Sequence, residues 1–191
     1  MKKLIALLLV LTTIVAFAAC GKKEETKTET TVEALTAITT VATAYNEKYA
    51  ETDYQLPLVG GGYENTSWEG PAAVLDTDVA YMTGTLLVPE ADLSKVTAAA
   101  SAMHGMNTNT FCAGAFNLVD GADYGAFATA VREAVQGNRW FCGFPEKLLI
   151  VNVGNCLIVA YGHGELISNF NEVIGETYAG TTILYNEAIE G

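Results

Sequence analysis

Three cysteines and two histidines are the residues of this sequence whose types could support nucleophilic catalysis. The cysteines are Cys112, Cys142 and Cys156, and the histidines are His104 and His163. A thiolate that a neighbouring imidazole activates is the nucleophile of cysteine-dependent cell-wall hydrolases, so a Cys–His pair is one interpretation. A reactive cysteine also needs a partly exposed, electropositive environment, whereas these cysteines lie among apolar neighbours in an acidic chain. We therefore keep the hydrolase as the alternative to a domain that is not an enzyme.

The same residues also have purely structural interpretations. A buried free cysteine behaves as a small apolar residue, so all three thiols could belong to the core. One disulfide and one free thiol is the other possibility, and the spacing does not identify the pair. His104 is expected to end a helix and His163 to begin the last one. Regular Cys-x-x-Cys spacing is missing, so the sequence predicts no zinc site, no other metal site and no cofactor.

Acidic side chains offer two further kinds of chemistry. Asp76 with Asp78, and Asp120 with Asp123, lack the number and spacing of oxygen ligands that a calcium loop needs. Turn and helix-capping roles account for them. A pair of carboxylates of the glycosidase type meets in space rather than in sequence, and that possibility stays open.

The first nineteen residues form a leader with an expected role in export. Lys2 and Lys3 precede a charge-free apolar run that ends in Phe17, Ala18 and Ala19 directly before Cys20. A positive start, a short apolar segment and small residues before a cleavage point are typical of a signal peptide, here residues 1–19. The cysteine at this point resembles the lipobox of bacterial lipoproteins, although Phe17 stands where leucine is usual. We expect lipidation at Cys20, with a secreted protein or an uncleaved anchor as the alternatives.

Residues 20–32 are predicted to be a lipid-anchored, flexible tether. The stretch "GKKEETKTETT" is charged in both signs and has no aromatic residue, so it cannot bury enough apolar surface to fold. Two acyl chains on one cysteine anchor a protein stably. The whole chain carries a formal charge of -12, which disfavours binding to nucleic acid or to anionic lipid headgroups. The expected location is therefore the outer face of the cell membrane, held there by the lipid on Cys20.

Residues 33–191 are predicted to form a single α+β domain with about four mainly antiparallel strands packed with amphipathic helices. Apolar residues recur every three or four positions over residues 32–49, which predicts a first helix. Strands are expected at 79–88 and 109–119, and helices at 90–105, at 124–137 with Asp123 as the N-cap, and at 164–178. The tail at 181–191 fits an edge strand or a short helix.

A two-residue hairpin is the clearest structural signal in the domain. Apolar runs flank Gly154 and Asn155 in "EKLLIVNVGNCLIVAYG", which predicts that Val153 pairs with Cys156 and Ile150 with Val159. Both faces of this hairpin are apolar, so it is expected to be central and covered on both sides, by helices or by a partner.

Residues 51–78 are predicted to form a long loop. Its part from Gly60 to Gly70, called the 60–70 loop below, is the candidate binding surface. It contains three consecutive glycines together with Tyr63 and Trp68. Long ordered loops are commonly functional, and exposed aromatic rings are common binding anchors. The structural alternative is that both rings seal the edge of the core.

Residues 92–178 resemble a family of small lipoproteins of clostridia-like Firmicutes, whose shared domain has no known function. The resemblance lies in "DLSKV", in "AFNLVDGADYGAFATAVREAVQGNRWF" and in the hairpin. The resemblance implies membrane anchoring and fold, and it carries over no functional residue. The favoured function is a non-enzymatic binding or interaction domain for an envelope protein or a cell-wall ligand. It predicts either an exposed aromatic patch near Tyr63 and Trp68 or an open apolar sheet face. A transporter's solute-binding component is a further possibility, although such proteins usually have two lobes.

Overall fold

A computed structural model describes residues 31–190 as one antiparallel sheet with helices on both faces. The strand order is β1-β3-β4-β6-β5-β7, and β2 also pairs with β3. All the pairings are antiparallel. The strands are β1 (Leu58–Val59), β2 (Ala72–Val74), β3 (Val96–His104), β4 (Phe111–Leu118), β5 (Lys147–Val153), β6 (Cys156–Gly162) and β7 (Thr182–Ala188).

Four α-helices cover the two faces of the sheet and divide the core into two layers. Helices α1 and α4 pack on one face, and α2 and α3 pack on the other. The closing helix has the predicted apolar side, and His163 is its N-cap residue as expected. The helices are α1 (Ala34–Lys48), α2 (Val79–Gly84), α3 (Tyr124–Gln136) and α4 (Gly164–Thr177), with a 3-10 helix at Glu90–Lys95.

The central hairpin is confirmed residue by residue. Val153 pairs with Cys156 and Ile150 pairs with Val159. Alternate residues of β5 and β6 point to opposite faces, so Val151 belongs to the α1–α4 layer and Ile150 to the α2–α3 layer. The chain's own helices therefore cover both apolar faces of the hairpin.

The α+β class is confirmed, but the predicted number of about four strands is wrong, because the sheet has seven. Two of the unpredicted strands, β1 and β2, are only two and three residues long and lie inside residues 51–78, which we predicted to be a long loop. Their sequences carry too few residues for an alternating pattern to stand out. They form because each pairs with the edge of β3.

The segment 90–105 is a second correction, since it is mainly a strand rather than a helix. Its acidic start forms only the 3-10 helix Glu90–Lys95, and the following small residues form β3. Alanine favours helices in isolation. Here Ala100 and Ala102 are completely buried between the central strand β4 and the edge strands, where small side chains let α1 approach the sheet. Tertiary packing outweighs the local preference, and His104 consequently ends a strand.

The segment 79–88 is a third correction, because it begins with helix α2 rather than with a strand. Asp78 lies directly before it, and its side chain accepts a hydrogen bond from the backbone N–H of Tyr81. This cap satisfies one of the unpaired donors at the helix start. Asp123 caps α3 in the same way, as predicted, by accepting from the N–H of Ala126. Capping is thus the observed role of both aspartates.

The chain enters the domain at the end of the sheet that carries the β5–β6 turn. The N–H of Val32 donates to Oδ1 of Asn155 at 2.6 Å, and Val32 is packed in the core. The β3–β4 connection, residues 105–110, lies at the opposite end, since β4 runs from Phe111 to Leu118 between the two ends. A strand of this length spans ~25 Å.

None of the helices within residues 31–190 is long and apolar enough to cross a bilayer. The signal peptide at 1–19, the lipidation site Cys20 and the tether residues before 31 lie outside the described residues.

Candidate functional site

The 60–70 loop is closed at its base by a pair of backbone hydrogen bonds. The N–H of Gly60 donates to the carbonyl of Ser67 at 2.9 Å, and the N–H of Ser67 donates back at 2.8 Å. The side chain of Asn65 adds two further bonds, accepting from Gly62 N–H and donating to the carbonyl of Ala73. The loop is therefore an ordered structure whose polar backbone groups are largely satisfied.

Two buried polar side chains fasten the loop to the body of the domain. Asp78, 3% exposed, accepts the backbone N–H of Glu64 at 3.0 Å with the oxygen that does not cap α2. Ser101 on β3 is completely buried, and its hydroxyl donates to the carbonyl of Gly61 at 2.7 Å while accepting from Tyr81. Buried polar groups of this kind stabilise a fold most when every donor and acceptor has its partner. The loop position is thus tied to β3 and α2.

Glycine is required at the start of the loop for two physical reasons. Gly61 has φ +79°, a left-handed conformation that side chains with a Cβ rarely adopt. A Cβ on Gly60 would overlap the backbone of Ala72 and Ser101. The glycine run therefore lets the loop lie directly against β2 and β3.

Tyr63 is held in place although its side chain is largely exposed. Its ring meets the ring of Tyr81 edge to face with centroids 5.0 Å apart, and its hydroxyl is 2.9 Å from Oγ1 of Thr85. The residue is nevertheless 63% exposed. Tyr63 consequently combines a fixed ring with an accessible face, which suits a contact surface.

Trp68 is the more exposed of the two aromatic residues in the loop. It is 76% exposed, and no aromatic pair in the described chain includes its ring. An indole that stays in water does not contribute the favourable free energy of burying apolar surface on folding. The alternative that both rings seal the edge of the core is therefore wrong for Trp68. A large aromatic ring on an ordered backbone is the usual form of an interaction hot spot.

A surface cleft of about 430 Å³ lies between α1 and the three residues that follow Trp68. Its polar groups come mainly from Thr43 and Glu47 on the helix and from Glu69 on the loop. Leu58 and Pro71 supply apolar surface. Two carboxylates with a hydroxyl and no basic residue favour a ligand that carries a positive charge or several hydroxyl groups.

Two of the three candidate cysteines are unsuited to nucleophilic chemistry. Cys112 and Cys156 are buried, and desolvation raises the pKa of both thiols to about 12. Their thiolate forms are therefore scarce at neutral pH. Burial confirms the core role that we considered for these two residues.

Cys142 is exposed, so the interpretation of three core thiols is wrong for this residue. All three cysteines at 112, 142 and 156 are free, which also contradicts the disulfide interpretation. Within residues 31–190, no hydrogen bond joins a cysteine sulfur to His104 or His163. Desolvation and the nearby His163 lower the pKa of His104, whose Nδ1 accepts from backbone N–H groups. A hydrogen-bonded Cys–His pair is therefore not present in the described part of the chain.

Of the two surfaces predicted for a binding domain, the structure exposes one and covers the other. The hairpin does not offer an open apolar face, because helices cover both of its sides. The 60–70 loop does present exposed aromatic rings at Tyr63 and Trp68. The described residues also contain no group of three His, Cys, Asp or Glu side chains placed to hold a metal ion.

Sequence reasoning missed a second exposed aromatic segment, residues 138–144, between α3 and β5. Phe141 is 76% exposed there, and the ring of Trp140 packs at a tilt against the ring of Tyr161. The signal was present in "NRWFCGF", which places three aromatic residues in a short connection after the C-cap Gly137.

Comparisons with known protein families, with curated proteins and with solved structures found no match for this chain.

Proposed function

We propose that this chain is a lipid-anchored protein of the outer face of the cell membrane whose domain binds an envelope partner through the 60–70 loop. Trp68 is the anchor residue of this interaction. The proposal rests on one observation above the others, the 76% exposure of Trp68 on a loop held by buried hydrogen bonds.

An ordered loop lowers the entropic cost of binding. The bonds from Ser101 and Asp78 position the loop before a partner arrives, so little conformational freedom is lost on association. Trp68 then contributes a rigid apolar contact, because an indole has only two side-chain torsions.

Charge in the adjacent cleft restricts the partner's chemistry. Glu47 and Glu69 face a cleft without a basic residue, in a chain with a net charge of -12. A partner that brings an amino group or a hydroxyl-rich surface would complement these carboxylates. Amines and sugar hydroxyls are both abundant in cell-wall material, which fits the predicted location.

Binding is tested with protein beginning at residue 21, so that no lipid contributes, and with native cell envelopes as the bait. Trp68→Ala is expected to weaken saturable co-sedimentation with the envelopes by about tenfold or more, as truncation of a hot-spot residue does. Its thermal unfolding should stay close to that of the parent protein, since the residue is exposed.

Ile183→Ala is the matched control, because Ile183 is an exposed apolar residue on the far edge strand β7. This variant should bind like the parent. Equal binding by the Trp68→Ala variant would remove the loop from the proposal, and equal losses in both variants would indicate nonspecific adhesion.

Anchoring is tested separately in cells. Cys20→Ser should leave the protein without a diacylglyceryl group, which intact mass measurement detects. Unchanged mass and unchanged membrane retention in this variant would contradict lipidation at Cys20.

A further inference from the structure

A second cleft, of about 270 Å³, lies on the α2–α3 face at the end of the sheet away from the chain's entry. Its walls come from the loop after α2, the β3–β4 connection and residues 138–141. We call it the Trp140 cleft. Its main lining residues are Thr85, Asn109, Asn138, Arg139, Trp140 and Tyr161.

The electrostatic character of the Trp140 cleft differs from the rest of the surface. No acidic residue lines it, whereas four further surface cavities each include at least one Asp or Glu. Arg139 lies in its wall, and among residues 31–190 its guanidinium has no carboxylate or hydrogen-bond partner. By contrast, Arg132 is paired with Glu187 at 2.6 Å. Arg139 is exposed, so its unpaired guanidinium is available to an anion.

Aromatic surface accompanies this guanidinium. The ring of Trp140 packs against the ring of Tyr161 in a tilted arrangement with centroids 5.1 Å apart, and Phe141 is 76% exposed beside it. The hydroxyl of Tyr161 donates to the carbonyl of Thr85, which fixes the floor of the cleft. Aromatic walls with a few directed polar groups are the normal composition of a small-molecule site.

Asn109 preorganises the wall that carries these residues. Its Nδ2 donates to the carbonyl oxygens of Phe141 at 2.7 Å and Gly143 at 3.0 Å. Asn107 adds a bond to the carbonyl of Cys142, whose backbone has the unfavourable φ of 60°. A strained connection held by two side chains is one whose geometry the surrounding structure determines.

We propose that the Trp140 cleft binds a small organic anion, a carboxylate or phosphate group carried on a flat apolar body. Arg139 neutralises the anionic group, and Phe141 and Trp140 contact the apolar body. This site is separate from the 60–70 loop surface and does not depend on the proposed function. It opens at the end of the sheet opposite to Asn155, which lies beside the chain's entry into the domain.

Trp140 itself reports on binding. The chain has two tryptophans, so the variant Trp68→Phe leaves Trp140 as the one emitter in the full-length protein. Benzoate, phenyl phosphate and the neutral benzamide are the probes, each titrated at constant ionic strength. We expect a saturable change in emission with at least one of the anions and at least a tenfold weaker response to benzamide. The two anions show which anionic group the cleft prefers.

Two variants on the Trp68→Phe background decide the role of Arg139. Arg139→Gln should weaken anion binding at least tenfold. Lys147→Gln removes the same charge on the opposite sheet face, where Lys147 contacts Ser168, and should leave affinity within about twofold. Absence of a saturable response to both anions would overturn the proposal. It would also be overturned by equal affinity for benzamide, or by unchanged affinity in the Arg139→Gln protein.

Trp140→Phe, with Trp68 kept, is measured by isothermal titration calorimetry, since its reporter is lost. Affinity for the preferred anion should fall at least threefold while the fold is retained, because part of the aromatic contact surface is removed. Undiminished affinity would overturn the contact role given to Trp140.

Discussion

The side chain of Asn117 on β4 is hydrogen-bonded to the first residue of α1, because its Oδ1 accepts from the N–H of Ala34 at 2.7 Å. Its Nδ2 donates to the carbonyl of Val32 at 2.8 Å and to the carbonyl of Asn155 at 3.0 Å. One nearly buried amide thus joins the chain's entry, the central strand and the β5–β6 turn. The start of the domain is positioned by this residue.

Asn117→Ala is expected to lower the free energy of unfolding by about 2–3 kcal/mol, because several backbone groups lose their buried partner at once. Urea denaturation measures the change. Asn186→Ala is the control, since Asn186 is exposed on β7, and a change within about 0.5 kcal/mol is expected there. Equal stabilities of the two variants would show that the amide has no such role.

The three cysteines should react at very different rates in the folded protein. Cys142 is exposed, whereas burial raises the pKa of Cys112 and Cys156 to about 12. At pH 8 only about one in ten thousand of the buried thiols is ionised, and the thiolate is the reactive form. Iodoacetamide should therefore label the Cys142 peptide alone before unfolding, and all three peptides in urea. Rapid native labelling of Cys112 or Cys156 would contradict the described packing.

Ser101→Ala is expected to loosen the 60–70 loop. The change removes the donor to Gly61 and the acceptor of the Tyr81 hydroxyl, both in a buried setting. We expect a loss of about 1–3 kcal/mol in the free energy of unfolding. We also expect faster hydrogen exchange at the amide of Ser67, which closes the loop.

Ser168→Ala serves as the control for this change, because Ser168 is exposed on α4 and remote from the loop. Its effect on Ser67 exchange should be negligible. Unaltered exchange in the Ser101→Ala protein would show that the loop is held by its other bonds.

The pairing of Glu187 with α3 should make stability depend on pH. Partial burial acts to raise the pKa of Glu187, but hydrogen bonds from Arg132 and Gln136 outweigh it, and the pKa is lowered overall. A folded-state pKa below the unfolded value stabilises the protein above the unfolded pKa, which is about 4.3 for glutamate. This contribution is lost as the pH falls through the folded pKa.

The protein with Glu187→Gln lacks that titration. Its deficit in free energy of unfolding relative to the parent should be largest above about pH 5 and should shrink towards about pH 3. Urea midpoints across this range measure the difference. A deficit that does not vary with pH would show that the ion pair makes no pH-dependent contribution.

Local patterns predicted the elements whose signals are contained within a short stretch. The hairpin register follows from two-residue alternation on either side of Gly154 and Asn155. Asp123 predicts the start of α3 because it lies directly before an amphipathic segment. These elements were predicted because the turn, the cap and the apolar face are all encoded by neighbouring residues.

The elements that were missed depend on contacts between distant parts of the chain. Val96–His104 is a strand because β4 pairs with one of its edges and β1 and β2 with the other. Its small residues carry no strand preference of their own. The seven-stranded sheet therefore could not be counted from periodicity alone.

The sequence by itself determined the α+β class, the central hairpin, the cap at Asp123 and the start of the last helix at His163. It also pointed to the 60–70 loop as the first place to look for binding. Only the tertiary structure decided that Cys142 is exposed and that Trp140, Arg139 and Thr85 line one cleft. The physical reason is distance along the chain. Propensity, alternation and capping act over a few residues, whereas burial and cleft formation depend on which segments the completed sheet brings together.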